Sequence, residues 1–318
     1  MTRRKKILAS SLIMGLALIS LAIIFGSGTE VEVPISSPSV GLPPSSVSAS
    51  SAAVNLPLES ASISALDSNA PSEPAPAVSQ MALPASSEPR AAEIEYWAVL
   101  AGVSDYKYLE DTKWNDKDAA ALYQQLCSFW GEHHIKLLAN AEATQAGIEA
   151  ALIDWLAPRE RKEDVVLFFF AGHSSSGRYM LPHDSLETSY ARDITGSLLD
   201  SWLDKLDSES LVVILETCKS GAFIADLSEP GRVIITSSGK NEDSWGYGAL
   251  GRFVFPHYVM EALGNLEAVD SDRDYVVSAE EVFDYVRPKV TSYGMRYGDH
   301  QHPQLYDGYE GELGLIQM

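Results

Sequence analysis

Apolar positions follow three different patterns along the chain. An uncharged run from Ile7 to Gly28, dominated by Leu, Ile and Ala, follows the bases Arg3, Arg4, Lys5 and Lys6. About 20 apolar residues cross a bilayer as a helix, so this stretch predicts one N-terminal transmembrane anchor. Bases before it and none directly after it predict a cytoplasmic N-terminus and a following chain outside the cytoplasm, periplasmic or extracellular. Removal of the run as a signal, leaving a secreted protein, is the alternative. Residues 29–93 then hold sixteen Ser and ten of the sixteen Pro, with no aromatic residue between Phe25 and Tyr96. Such a segment buries too little apolar surface to offset the entropy of ordering it, so it reads as a disordered stalk. The chain divides into 1–28 (basic N-terminus and anchor), 29–93 (Ser/Pro/Ala-rich linker) and 94–318 (folded domain).

In the third part, short continuous apolar runs alternate with helical spacing. Tyr96–Val103, Val165–Phe170, Leu211–Leu215 and Val233–Thr236 read as buried strands, with shorter ones near Ile135–Leu138 and Tyr179–Leu181. VVLFFF is apolar on both faces, the pattern of a parallel sheet covered by helices. Helical spacing marks Ala119, Leu122, Tyr123, Leu126 and Trp130 after Asn115-Asp116. It also marks Ile148, Leu152, Trp155 and Leu156 behind the N-cap Thr144, and Leu199, Trp202, Leu203 and Leu206. Two more helices are expected at about Phe253–Leu263 and Ser278–Val286. This order predicts an α/β fold, one doubly wound domain with a mostly parallel central sheet.

Charge narrows the partners. Residues 95–318 carry 18 of the 23 Lys/Arg and 37 of the 44 Asp/Glu. An acidic surface repels phosphate backbones, which argues against nucleic acid and for basic peptides or cations. Two cysteines, Cys127 and Cys218, exclude a multi-bridge disulfide scaffold.

Ligands of open parallel sheets bind beyond the carboxyl ends of the strands. VVLFFF leads into Ala171-Gly172-His173-Ser174, and LVVIL into Glu216-Thr217-Cys218-Lys219. A histidine and a cysteine thus occupy equivalent strand tips, each with glycine close by. Adjacent strands would bring both into one crevice, where a histidine can stabilise a thiolate or protonate a leaving amine. Zinc is disfavoured, because no third and fourth soft ligand is spaced to join them. Cys127, on a helix, reads as a small buried hydrophobe.

The motifs FFFAGHSS and VVILETCKSG, in this order, resemble those of the caspase-like cysteine peptidases, the grouping of caspases, metacaspases and legumain. GVSDYKYLEDTKWNDKDA, YMLPHD and HPQLYD are most similar to bacterial metacaspase-like members, and the resemblance covers about 220 residues. It implies a caspase-like three-layer αβα sandwich and a cysteine endopeptidase with Cys218 as nucleophile and His173 as general acid/base. It places an oxyanion hole on the backbone N–H groups of Cys218 and Ser174, where the family usually has glycine at the second position. Glu216, two residues before the cysteine, corresponds to a position lining the pocket for the substrate residue before the cut (P1). With Asp105 at the end of the first strand, an acidic Glu216 predicts basic P1 residues. Legumain-like Asn-specific cleavage or transpeptidation, and an inactive binding module, are the alternatives.

Asp270, Asp272, Asp274, Val276, Ser278 and Glu281 fall at positions 1, 3, 5, 7, 9 and 12 of an EF-hand-type loop, a candidate calcium site with Tyr275 where glycine is usual. The peptidase chemistry itself needs no cofactor. Arg90, alone among bases between Lys6 and Lys107, is a candidate self-cleavage point in the stalk.

Overall fold

The apolar runs of the third part become the middle strands of one sheet. In the computed structural model, which describes residues 93–175 and 179–318, these are β1 (Tyr96–Gly102), β2 (Ile135–Ala139), β3 (Val165–Ala171), β4 (Ser210–Glu216), β5 (Arg232–Thr236) and β6 (Gln304–Asp307). The expected membrane helix, the stalk and Arg90 lie outside the described residues. Among those described, no helix is long and apolar enough to cross a membrane.

The sheet order is β6-β5-β4-β3-β1-β2. Every neighbouring pair is parallel except β6, which runs antiparallel to β5. From β1 the chain passes to β2 at one edge and returns to β3 on β1's other side. That reversal opens a crevice beyond the carboxyl ends of the central strands.

Period-two alternation divides the strand side chains between two cores. Ala98, Leu100, Leu167, Phe169, Val212 and Ile214 face helices α1 (Asn115–Trp130), α4 (Val254–Leu263) and α5 (Ala279–Tyr297). Val99, Phe168, Phe170, Val213 and Leu215 face α2 (Gln145–Ala150, continued by a π turn at Ala151–Leu156) and α3 (Gly196–Leu203). Three layers result, helices on both faces of the sheet. Phe168, Phe169 and Phe170 are each at most 1% exposed, and truncating such a residue to alanine costs about 3–5 kcal/mol. Thr144 caps α2 as its position predicts, accepting from Gly147 N at 3.0 Å.

Three elements depart from the expected pattern. HPQLYD supplies an antiparallel edge strand, β6, whose residues are only half-buried and so carry no strong apolar signal. The helix expected to end near Val286 continues through Pro288 to Tyr297, because Val290 and Gly294 still pack on the core. Leu206 is buried but lies beyond the end of α3. Short pairs complete the fold, among them Gly246–Tyr247 with Arg252–Phe253, and Val276–Ser278 with Gly314–Gln317.

Candidate active site

Register does what the strand-tip argument requires. Ala171 of β3 pairs with Glu216 of β4, so His173 and Cys218 each stand two residues beyond a matched pair. Gly172 N donates to the Glu216 carbonyl at 3.1 Å and locks the two tips together. The Ser174 hydroxyl bridges them again by donating to the Cys218 carbonyl. Both His173 and Cys218 line one cavity of about 310 Å³, walled by Trp114, Trp245 and Phe253 and floored by Asn115, Glu216 and Thr217. A larger cleft, about 920 Å³, opens at the amino end of the strands among Asp204, Glu209 and Arg232, but no cysteine or histidine lines it.

His173 is held from the loop after β1. Its backbone N–H donates to the Tyr106 hydroxyl at 2.7 Å, and the two rings lie 5.0 Å apart between centroids. A Cβ on Gly172 would sit 2.8 Å from that hydroxyl, so only glycine leaves it room. Nε2 of His173 lies 3.0 Å from the Glu110 carbonyl. A carbonyl only accepts, so Nε2 carries the hydrogen and Nδ1 is the basic nitrogen. Burial pulls the imidazole below its ordinary value, against the opposing pull of the Glu110 carbonyl and of the Glu110 and Asp111 charges.

Cys218 sits on a tight turn. Lys219 adopts φ 60°, and a Cβ on Gly221 would meet Lys240 N at 2.8 Å. The thiol sulfur accepts from Ser244 N at 3.4 Å. Burial, with a further push from the Asp243 charge, raises the thiol to about 12. Both shifts favour the uncharged thiol and imidazole over an ion pair. Desolvation by burial outweighs the nearby Lys219 charge, which itself pairs with Asp243 at 2.9 Å. Ser174 opens a short strand paired with Tyr179–Met180.

Glu216 is fully buried on the cavity floor. Ser244 Oγ donates to its Oε1 at 2.7 Å and accepts from Gln301 Nε2 at 2.9 Å, while Oε2 has no protein partner. Burial and the Asp118 charge push the carboxyl up to about 8. Asp105, expected beside it, is not on the cavity wall. Its side is exposed, its N–H donates to Asn140 Oδ1 at 3.0 Å, and its carbonyl accepts from His183 Nδ1 at 2.6 Å. The chain turns outward after Gly102, and these bonds pin Asp105 against the β2 end of the sheet. The carboxylate that acts on Glu216 is Asp118 on α1, also buried, with Oδ2 accepting from Phe253 N at 3.1 Å and Oδ1 unpartnered. Burial raises Asp118 to about 7, opposed by the Phe253 N–H and the Arg252 charge.

The loop that carries Ser244 is fastened at Glu242. Its carboxylate accepts from Gly239 N at 3.1 Å, His302 N at 2.8 Å and His302 Nδ1 at 2.7 Å. Its carbonyl takes the Lys219 N–H, directly after the cysteine. Tyr106, Glu110, Asp118, Ser244, Glu242 and Gln301 were thus absent from the residues singled out by sequence. Three of them lie inside GVSDYKYLEDTKWNDKDA and Gln301 abuts HPQLYD, so the motifs located them without showing their roles.

The six calcium candidates lie away from this cavity, around the start of α5. Asp270, Asp272 and Asp274 bring carboxylate oxygens within 4.8 Å of one another. Tyr275 takes φ 71°, the left-handed conformation that glycine usually supplies there. Asp270 accepts from Arg273 N and Tyr275 N at 2.7 and 3.2 Å. Ser278 and Glu281 form the capping box of α5, with the Glu281 oxygens on Ser271 N and Ser278 N at 2.5 and 3.1 Å, and Val276 opens the strand that pairs with Gly314–Gln317. The structure therefore gathers three of the six and commits Ser278 and Glu281 to the helix start.

The sequence profile of the Peptidase C13 family matches residues 154–307, a span that includes His173, Glu216 and Cys218. No curated protein matches the chain. A crystal structure of a protein from Geobacter sulfurreducens is similar at 11% identity and a TM-score of 0.49, covering 70% of this chain and 97% of its own.

Proposed function

We propose that this chain is a cysteine endopeptidase of the Peptidase C13 and caspase-like kind, cutting peptide bonds after basic P1 residues. One observation carries the reading: Cys218 and His173 share a cavity, with the histidine's other nitrogen tied to a carbonyl. The Cys218 sulfur attacks the scissile carbonyl carbon as Nδ1 of His173 takes the thiol proton, so the nucleophile is charged only during attack. The carbonyl oxygen becomes an oxyanion that backbone N–H groups of Cys218 and Ser174 receive. Nδ1 returns the proton to the leaving amine, and the resulting thioester is hydrolysed by a water deprotonated at the same nitrogen. The Glu110 carbonyl stabilises the transient imidazolium. A buried carboxylate on the floor, Glu216, supports a cationic P1 side chain.

In this reading the domain works outside the cytoplasm on the end of its membrane anchor and stalk, on protein or peptide substrates and not on nucleic acid. Calcium takes a structural place among Asp270, Asp272 and Asp274. Support comes from the mutual approach of those carboxylates; a calcium titration followed by thermal denaturation tests it, and an unchanged melting temperature at millimolar calcium rejects it. The peptidase itself is tested with a peptide electrophile bearing arginine at P1. Labelling of wild type and none of Cys218→Ala is expected, and an unlabelled wild type returns the chain to the class of binding modules. Labelling by an asparagine analogue alone favours the legumain-like alternative.

A further inference from the structure

The turn that carries the nucleophile is held in a conformation its sequence does not favour. Ser220 N donates to the Thr217 carbonyl at 3.2 Å, closing a four-residue turn with Cys218 second and Lys219 third. Lys219 has φ 60° and ψ 26°, and a positive φ at the third position is ordinarily left to glycine or asparagine. A lysine there is strained, and rotating the peptide unit between Cys218 and Lys219 would relieve it. Both ends of that unit are tied. Its carbonyl accepts from the Ser174 hydroxyl, and its N–H donates to the Glu242 carbonyl at 2.6 Å. The first tie comes from the histidine loop, at a position where the caspase-like motif usually has glycine, which carries no hydroxyl.

We propose that the Ser174 side chain is a positioning residue for Cys218: its hydroxyl and the Glu242 carbonyl clamp the peptide unit after the nucleophile and hold Lys219 in its left-handed turn. The inference rests on the cysteine-peptidase reading and gives a task to a hydroxyl that the reading leaves idle. Strain of this kind persists only where the surroundings over-determine it. Here they do, because the Glu242 end is itself anchored, its carboxylate accepting from Gly239 N and His302 N at 3.1 and 2.8 Å. The Lys219 ammonium adds a hold on the same loop through Asp243 at 2.9 Å. Without the hydroxyl the peptide can rotate, which changes the torsion on the carbonyl side of Cys218 and takes the thiol off its line to the scissile carbon. Attack needs that line and substrate binding does not, so the loss falls on kcat and not on KM.

Ser174→Ala removes the hydroxyl and keeps the backbone N–H, so it isolates the clamp from the oxyanion hole. Peptide cleavage is compared with wild type, each normalised to the sites that the arginine electrophile labels at completion, which discounts misfolded molecules. In Ser174→Ala kcat should fall about 10- to 100-fold with KM within about twofold. Ser174→Thr, which keeps a hydroxyl, should restore most of the rate, and Ser174→Gly should match Ser174→Ala and stands in for it if that variant does not fold. Lys219→Gly removes the strain, so in its background the Ser174→Ala loss should shrink to about threefold or less. An unchanged kcat in Ser174→Ala, or an undiminished loss in the Lys219→Gly background, would overturn the clamp and leave the peptidase reading intact. A wild type that neither labels nor cleaves would overturn the peptidase reading. A crystal structure of Ser174→Ala then decides the clamp by itself, since Lys219 keeping its positive φ without the hydroxyl would overturn it.

Discussion

Two groups of carboxylates in this molecule look alike in sequence and live under opposite conditions. In the loop before α5, Asp270, Asp274 and Glu281 accept backbone N–H groups, and Asp272 and Asp274 face solvent. Glu216 on the cavity floor and Asp118 on α1 are buried, and each leaves an oxygen unpartnered. The first group uses its charge to shape a turn. The second holds ionisable groups in buried positions, where a charge without a partner is costly. An acidic pattern becomes informative once the donors facing it are counted.

The contrast predicts effects of very different size. Cys218→Ala, in the same cavity as Glu216, should lower peptide cleavage by roughly 10⁴-fold or more with little change in melting temperature. A smaller activity loss would move the chemistry off this thiol. Glu216→Gln should lower kcat/KM on arginine substrates by about 2–3 kcal/mol, roughly 30- to 150-fold, since it removes the charge partner of a buried cation. Loss on asparagine substrates should be much smaller, and equal losses would defeat the assignment of basic P1.

Buried Glu216 should also appear in stability. A carboxyl raised well above its ordinary value binds more protons folded than unfolded, so its contribution is present at acid pH and is lost as pH rises through about 8. Melting temperature should therefore fall between about pH 5 and pH 8.5, and the fall should be shallower in Glu216→Gln. A pH-independent melting curve for wild type would contradict the burial of Glu216. The smallest effect belongs to the loop. Glu281→Ala, which opens the capping box of α5, should cost about 1 kcal/mol in denaturant titration and leave kcat/KM unchanged. A comparable loss of activity would mean that the loop reaches the site.

Legibility followed the same division. VVLFFF and LVVIL were readable because both strand faces are buried, and the placement of His173 and Cys218 at neighbouring strand tips because each follows directly from its strand. β6 and the far half of α5 were not, since one is half-exposed and the other runs through a proline that ordinarily ends a helix. Asp105 stood out by its position just past β1, and Asp118, inside the same motif, did not. The deciding fact, that α1 turns Asp118 inward while Asn140 and His183 hold Asp105 at the surface, depends on contacts between distant segments. The Glu110 carbonyl has no side-chain signature at all.

Gln301 reaches both Ser237 and Ser244, and His302 grips Glu242, so the wall behind the sulfur is braced from residues that follow every other part of the site in the chain. A ribosome that has released only the first 290 residues carries a thiol whose surroundings are unfinished. The wall behind Cys218 is therefore completed only once synthesis has passed His302.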